Sequence, residues 1–246
     1  MEAGKETIEK IEDLVKQAYT VTVGEKVYSA QNLYPVMNTP TADTLRCHTL
    51  RGIVDYLERN PDNLELEKYF INVLDVDRVS LDSVLFGENR VRERIYESRL
   101  DPNLEEFPFG RFMSQEEFII KFLAGFQQQE GDDFAYIVQM ASKLTGGTSL
   151  EGSDDGISQT VTVKRGSSGA LKGEESTKPF VNLAPYRTFR EIKQVQGRYL
   201  LRIRQDENDI PKIALFEADG GAWRNDATFR IAEYFRINTD EMLVIS

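Results

Sequence analysis

The most constraining feature of this chain is a long hairpin pattern in its C-terminal third. RYLLRIRQ (198–205) and PKIALFEA (211–218) flank the polar turn DEND. In the first of these, alternation at period two puts Tyr199, Leu201 and Ile203 on one face and Arg198, Arg202 and Arg204 on the other. A ribbon with one apolar face is marginal in water until something covers that face. Two helical patterns upstream supply a cover. Ser114-Gln-Glu-Glu117 has the spacing of a capping box, and the helix it opens carries Phe118, Ile119, Phe122, Leu123 and Phe126 as a core stripe. A second helix uses Phe134, Ile137, Val138, Ala141 and Leu144 and stops at Gly146-Gly147. The short polar link between them predicts an antiparallel helix pair.

Elsewhere the elements are shorter. Ile8, Ile11, Val15 and Ala18 recur at helical spacing over 5–18, VTVGEKVYS turns as a hairpin at Gly24, and the two prolines of NLYPVMNTPT mark a connector. An extended piece at Thr44–Cys47 leads into a helix through about Arg59, with Thr49 as its N-cap and Asn60-Pro61 as its stop. Strands are expected at 68–75, Arg78–Leu81 and Arg90–Tyr96. In the last of these Arg90, Arg92 and Arg94 share a face, read as a solvated one paired with acids. Beyond the loop at 148–156, SQTVTVKR reads as a strand and GSSGALKGEESTK as a turn-rich excursion. Short β runs follow at Phe180–Leu183 and Tyr186–Phe189, and a last helix over Ala227–Phe235. Helices and antiparallel strands come in blocks without a βαβ rhythm. This implies an α+β fold, with helices packed on antiparallel sheet or sheets and a β-rich C-terminal half. Residues 1–40 are read as an N-terminal helix and hairpin extension, and 41–246 as a single α+β domain that could divide again near 148–156.

Composition excludes several classes. The chain has 246 residues, 40% hydrophobic and 29% charged, which is globular rather than disordered. No apolar run is long enough for a bilayer span, and the acids of the N-terminal stretch rule out a signal peptide, so the expected setting is cytoplasmic, without a membrane partner. One cysteine, Cys47, precludes an intramolecular disulfide and a cysteine-rich zinc site. Its neighbour His48 is the sole histidine, and adjacent residues on an extended segment point apart, which suits catalysis poorly. Phosphate-loop, dinucleotide, zinc-protease and nucleophile-elbow patterns are absent. The net charge of −11, concentrated in residues 1–150, disfavours nonspecific nucleic-acid binding.

Residues able to do chemistry concentrate between Ser153 and Trp223. Asp154, Asp155, Glu217 and Asp219 form an acidic set that could hold Mg2+ or Mn2+ and activate water against a phosphoester. Their sequences, Asp-Asp-Gly and Asp-Gly-Gly, are also those of plain turns, with Asp219 as a cap, and that reading is preferred. Arg187, Arg190, Arg198, Arg202 and Arg204, with Trp223, form a basic set suited to phosphate or carboxylate. The alternatives are cross-strand pairing or an interface with the acidic half of another copy. Trp223 could stack on a base or anchor an interface, or belong to its own core.

TLRGIVDYL, SQEEFIIKFLAGF, DDGISQTVTVKRG, NLAPYRTFREIKQ and ALFEADGGAW together resemble an uncharacterised family of phage and prophage proteins, over roughly Leu45 to Phe235. The resemblance implies a phage or prophage origin, among genes for replication, recombination or host takeover, and carries no catalytic residue. The expectation is a non-catalytic, homo-oligomeric binding or assembly protein in the host cytoplasm, engaging an anionic ligand such as a nucleotide, or a host protein. A metal-dependent phosphoester hydrolase or nuclease, and a DNA replication or recombination accessory factor, are the alternatives.

Overall fold

A computed structural model describes residues 2–23, 26–29, 42–87, 90–144, 160–163, 173–208 and 210–246. The chain divides into two units, Met1–Ala42 and Asp43–Ser246. The first holds α1 (Glu2–Tyr19) and an antiparallel hairpin of β1 (Thr20–Val23) and β2 (Lys26–Ser29). Ile8, Ile11, Leu14 and Val15 of α1 are exposed.

The second unit opens with β3 (Leu45–Cys47), α2 (Leu50–Arg59), β4 (Tyr69–Asp75), β5 (Arg78–Ser83) and β6 (Arg94–Arg99). It continues through β7 (Met113–Ser114), α3 (Gln115–Gly125), β8 (Phe126–Gln127) and α4 (Phe134–Lys143). An antiparallel pair follows, β9 (Thr160–Val163) with β10 (Gly173–Ser176). The unit closes with β11 (Phe180–Pro185), β12 (Gly197–Gln205), β13 (Pro211–Glu217), α5 (Trp223–Asn238) and β14 (Leu243–Ile245).

Two five-stranded sheets carry this unit. Sheet I runs β14-β4-β5-β6-β3 and sheet II runs β7-β13-β12-β11-β8. Only the outer pairs of sheet I, β14 with β4 and β3 with β6, are parallel. The fold is therefore α+β, with helices on mostly antiparallel sheets. The loop at 148–156, where a further division was expected, lies outside the described residues.

Each sheet has its own core. In sheet II the apolar face of β12, with Tyr199, Leu201 and Ile203, joins Ile213 and Leu215 of β13 under Phe118 and Phe122 of α3 and Ile137 and Ala141 of α4. The rings interlock: Phe122 stacks on Phe126 at 4.5 Å between centroids, and Phe107 meets Phe118 edge-on at 5.8 Å. In sheet I, Ile71, Val73, Val79 and Leu81 pack against Leu50, Ile53, Val54 and Leu57 of α2 and Ile231, Ala232 and Phe235 of α5. Phe189 and Ile192, from the loop joining two strands of sheet II, enter this same core. The two sheets are thus tied together by the chain that leaves one and plugs into the other.

Several local expectations are met by specific bonds. Thr49 caps α2, accepting from Gly52 N, and Asn60 ends the helix in the left-handed region at φ 37°. The arginines of the 90–94 stretch fare differently from one another. Strand β6 starts only at Arg94, whose Nε donates to Asp82 Oδ1 at 3.0 Å. Arg90 lies in a turn at φ 51°, and Arg92 sits over the Phe70 ring and donates to Ser83 O. Under Arg94 and Arg99, Glu97 is buried and accepts from both.

Other local expectations are corrected. Ser114 accepts from Glu117 N as an N-cap, but the Glu117 carboxylate turns away to Arg111, so half of the capping box forms. Ser114 is itself paired with Lys212 across sheet II, so its backbone is already placed. Tyr186–Phe189 is a loop rather than a strand, because its residues cross toward sheet I. The last helix begins at Trp223, ahead of Ala227, and its Phe229 is 59% exposed.

Candidate functional site

A cleft of about 740 Å³ opens where the chain passes between the sheets. Three stretches build it. The exit from sheet I supplies Arg99, Asp101, Glu105, Glu106 and Phe109. The loop between β11 and β12 supplies Tyr186, Arg187, Thr188 and Arg190, and the passage from β13 into α5 supplies Glu217, Trp223 and Arg224. The turn between β4 and β5 closes the cleft with Asp75, Val76, Asp77 and Arg78. A volume of this size suits a small organic ligand.

The loop carrying Arg187 is held by a glutamine network. Gln194 is 1% exposed; its Oε1 accepts from Arg187 N at 3.2 Å, and its Nε2 donates to Phe189 O at 2.9 Å. Gln194 N donates to Gln127 Oε1, and Gln129 Nε2 donates to Gln194 O. Thr188 Oγ1 donates to Val76 O, and Glu191 Oε1 accepts from Leu50 N at 2.7 Å at the start of α2. These bonds order the loop before any ligand arrives.

Arg187 lines the cleft as its most buried cation. Its side chain is 9% exposed, and its guanidinium lies 4.3 Å from the Phe109 centroid, 4.8 Å from Trp223 and 5.4 Å from Tyr199. Such a box of rings favours a cation and fixes its plane. Nη2 meets Glu217 Oε1 at ion-pair distance but off the hydrogen-bond direction, and Nη1 meets no acceptor among the described residues. Beside it, burial pushes the Tyr199 phenol well above its usual range. Asp219 and Glu217 push it the same way against the opposing pull of Arg187, so the hydroxyl stays protonated.

The turn before α5 is set by two glycines. Asp219 Oδ1 accepts from Gly221 N at 3.0 Å, and Gly220 and Gly221 take φ of 65° and 81°, which side chains rarely adopt. Asp219 thus caps its own turn rather than α5, and its Oδ2 is buried without a donor. Gly197 is needed here for a different reason: a Cβ would come within 2.8 Å of Tyr199 Oη and 2.9 Å of Asp219 Oδ2. Gly197→Ala is expected to cost about 1–3 kcal/mol by overpacking the rigid Tyr199 ring. Urea unfolding measures this, and a change below about 0.5 kcal/mol would contradict the packing described here.

The basic set expected to bind an anion is divided by the fold. Arg187, Arg190 and Trp223 line the cleft, with Arg190 stacked at 4.2 Å over Tyr186. Arg198, Arg202 and Arg204 lie on the other face of β12, where Arg198 covers the Phe180 ring and Arg204 covers Phe112. Trp223 is 9% exposed and packs with Val76, Val195 and Ala227, so it joins a small core and the cleft at once. Of the acidic set, Glu217 faces Arg187, Asp219 holds its turn, and Asp154 and Asp155 lie outside the described residues. Among the described residues no three His, Cys, Asp or Glu side chains gather as a metal site.

Sequence reading did not find Phe109, Tyr199 or Gln194 as parts of this site. Gln194 left no clear signal, since it follows the charged Lys193 in KQVQ and its partners come from the distant QQQ of 127–129. A smaller hollow of about 380 Å³ runs along α3, and none of its lining residues holds an unpartnered buried side-chain polar atom. Among the described residues no helix is long and apolar enough to cross a membrane. Comparison of the chain with models of protein families, with curated proteins and with solved structures finds no match in any of the three.

Proposed function

We propose that this protein binds a small molecule carrying an oxyanion, carboxylate or phosphate, in the cleft centred on Arg187. One observation carries the reading. Four buried side-chain polar atoms of the described residues have no hydrogen-bond partner: Arg78 Nε, Arg187 Nη1 and Nη2, and Asp219 Oδ2. Arg78 and Arg187 line the cleft, and Asp219 stands behind it beside Tyr199. Folded proteins satisfy nearly all such groups; the three guanidinium nitrogens, of which Arg187 Nη2 has only its ion-pair contact with Glu217, mark where an acceptor belongs, whereas Asp219 Oδ2 is itself an acceptor and takes no part in the reading. An oxyanion between Arg187 and Arg190, with Tyr186 and Trp223 flanking it, meets that need by charge-assisted hydrogen bonds.

The reading is of a binding protein without its own chemistry. The phage-family resemblance fits it as an accessory factor acting in a host cell, with a nucleotide as one ligand of the right charge. Homo-oligomerisation remains part of the proposal on the strength of the exposed apolar residues Ile8, Ile11, Leu14 and Val15 in α1.

Thermal unfolding against inorganic phosphate, nucleoside 5′-monophosphates and short dicarboxylates tests the proposal. A true ligand at a hundredfold excess over its Kd stabilises by about 2.7 kcal/mol, several degrees in Tm. At least one member of the panel is expected to do so, with the shift lost when Arg190 is replaced by alanine. No shift with any member, or an undiminished shift in Arg190→Ala, would overturn the assignment.

A further inference from the structure

We propose that Glu217 is a built-in competitor for this site: its carboxylate rests against Arg187 in the place that a ligand oxyanion takes, and binding proceeds by exchange of one for the other. The inference rests on the oxyanion reading of the cleft and adds how the site is guarded when empty.

The two partners are unequally buried. The Arg187 side chain is 9% exposed, whereas that of Glu217 is 48% exposed. The arginine cannot leave, because three aromatic rings hold its guanidinium, while the glutamate can swing into water. The contact is also poorly formed as a hydrogen bond. Glu217 Oε1 meets Nη2 without alignment to an N–H, and Nη1 is left over. A guanidinium presents two parallel N–H groups to an incoming carboxylate or phosphate, and a ligand free to orient can take both. Glu217 is less free, because its backbone is held opposite Tyr199 in the β12–β13 register.

The consequence of leaving Arg187 bare would be a buried, uncompensated cation, which is costly. A half-exposed carboxylate offsets that cost, and because its own side is open to water it is exchanged more readily than a buried partner. The cleft then stays folded when empty and selects against anions that cannot better one misaligned carboxylate. Exchange leaves the net charge of the site unchanged when the ligand group carries a single negative charge.

The test measures Kd for inorganic phosphate and adenosine 5′-monophosphate by the fluorescence of Trp223, the only tryptophan. The comparison includes the wild type, Glu217→Gln and Glu207→Gln. Glu207 lies in the turn at the far end of the same hairpin and is exposed, so its substitution makes the same change in net charge away from the cleft. Glu217→Gln is expected to bind about three- to tenfold more tightly, with Glu207→Gln at the wild-type value. Glu217→Ala, which removes the competitor without an amide in its place, is expected to tighten binding as well. Equal tightening in Glu207→Gln would reduce the effect to overall charge. Unchanged or weaker binding in both Glu217 variants would end the competitor role while leaving the site intact. Absence of binding in every protein would remove the oxyanion reading itself, and this inference with it.

Discussion

Phe122→Ala is expected to lower the unfolding free energy by about 3–5 kcal/mol, the range for removing a fully buried phenylalanine. Phe122 is 1% exposed at the centre of the sheet II core, within 4.5 Å of the Phe126 centroid and 5.0 Å of Phe134. Its loss empties the space that joins α3 to α4 and both helices to β12. Partial collapse is hindered because Phe107 meets both Phe118 and Phe126 edge-on and holds them in place. Leu123, the next residue on the same helix, is 51% exposed, and its replacement by alanine should stay within about 0.5 kcal/mol. Urea unfolding of the pair reads the difference. A loss below about 1 kcal/mol at Phe122 would mean that the helices are not anchored as described.

Arg187→Met should separate function from stability. Methionine fills much of the same volume among Phe109, Tyr199 and Trp223 and keeps the contacts of the three rings. Glu217, being half exposed, is solvated when its partner is removed, and removal of the cation relieves the unmet guanidinium nitrogens. Stability should therefore change by no more than about 1 kcal/mol, whereas oxyanion affinity falls about ten- to hundredfold with the loss of a charged donor. Calorimetric titration with the tightest ligand of the panel measures it. Binding at the wild-type Kd would place the anion elsewhere.

The C-terminal hairpin was legible because period-two alternation leaves a strand only one way to face its core. Tyr199, Leu201 and Ile203 are buried as that pattern requires, and the arginines between them look outward. The same pattern misled about the site. It grouped Arg198, Arg202 and Arg204 with Arg187 by closeness in sequence, although the strand face and the cleft are different surfaces. Arg187 and Arg190 lie in a loop that carries no periodicity of its own. What places them is long-range: Phe189 and Ile192 sink into the core of sheet I, and Gln194 closes the loop through contacts with Gln127 and Gln129.

Phe109, which faces Arg187, comes from a stretch between β6 and β7 that carries neither a helical nor a strand period. Its role follows from the exit path of the chain from sheet I to sheet II, which no local pattern encodes. Glu217 was grouped with Asp154, Asp155 and Asp219 as an alternative metal ligand because its neighbours are acidic, but it ends β13 opposite Tyr199, and that register aims it at Arg187. Helix α5 starts earlier than its apolar spacing suggested because the Asp219-Gly220-Gly221 turn delivers Trp223 directly into the first helical turn. The departures that bear on the site lie at the passages between the sheets, where the cleft opens.

The central claim is that an oxyanion binds beside Arg187, and Trp223 is positioned to report it. Its ring lies 4.8 Å from the Arg187 guanidinium and it is the sole tryptophan of the chain. Titration of its fluorescence with whichever oxyanion raises the melting temperature should give a saturable change, with the same Kd as calorimetry and about ten- to hundredfold weaker in Arg187→Met. A ligand that stabilises the protein while leaving Trp223 emission unaltered, in wild type and variant alike, would contradict the assignment of the cleft.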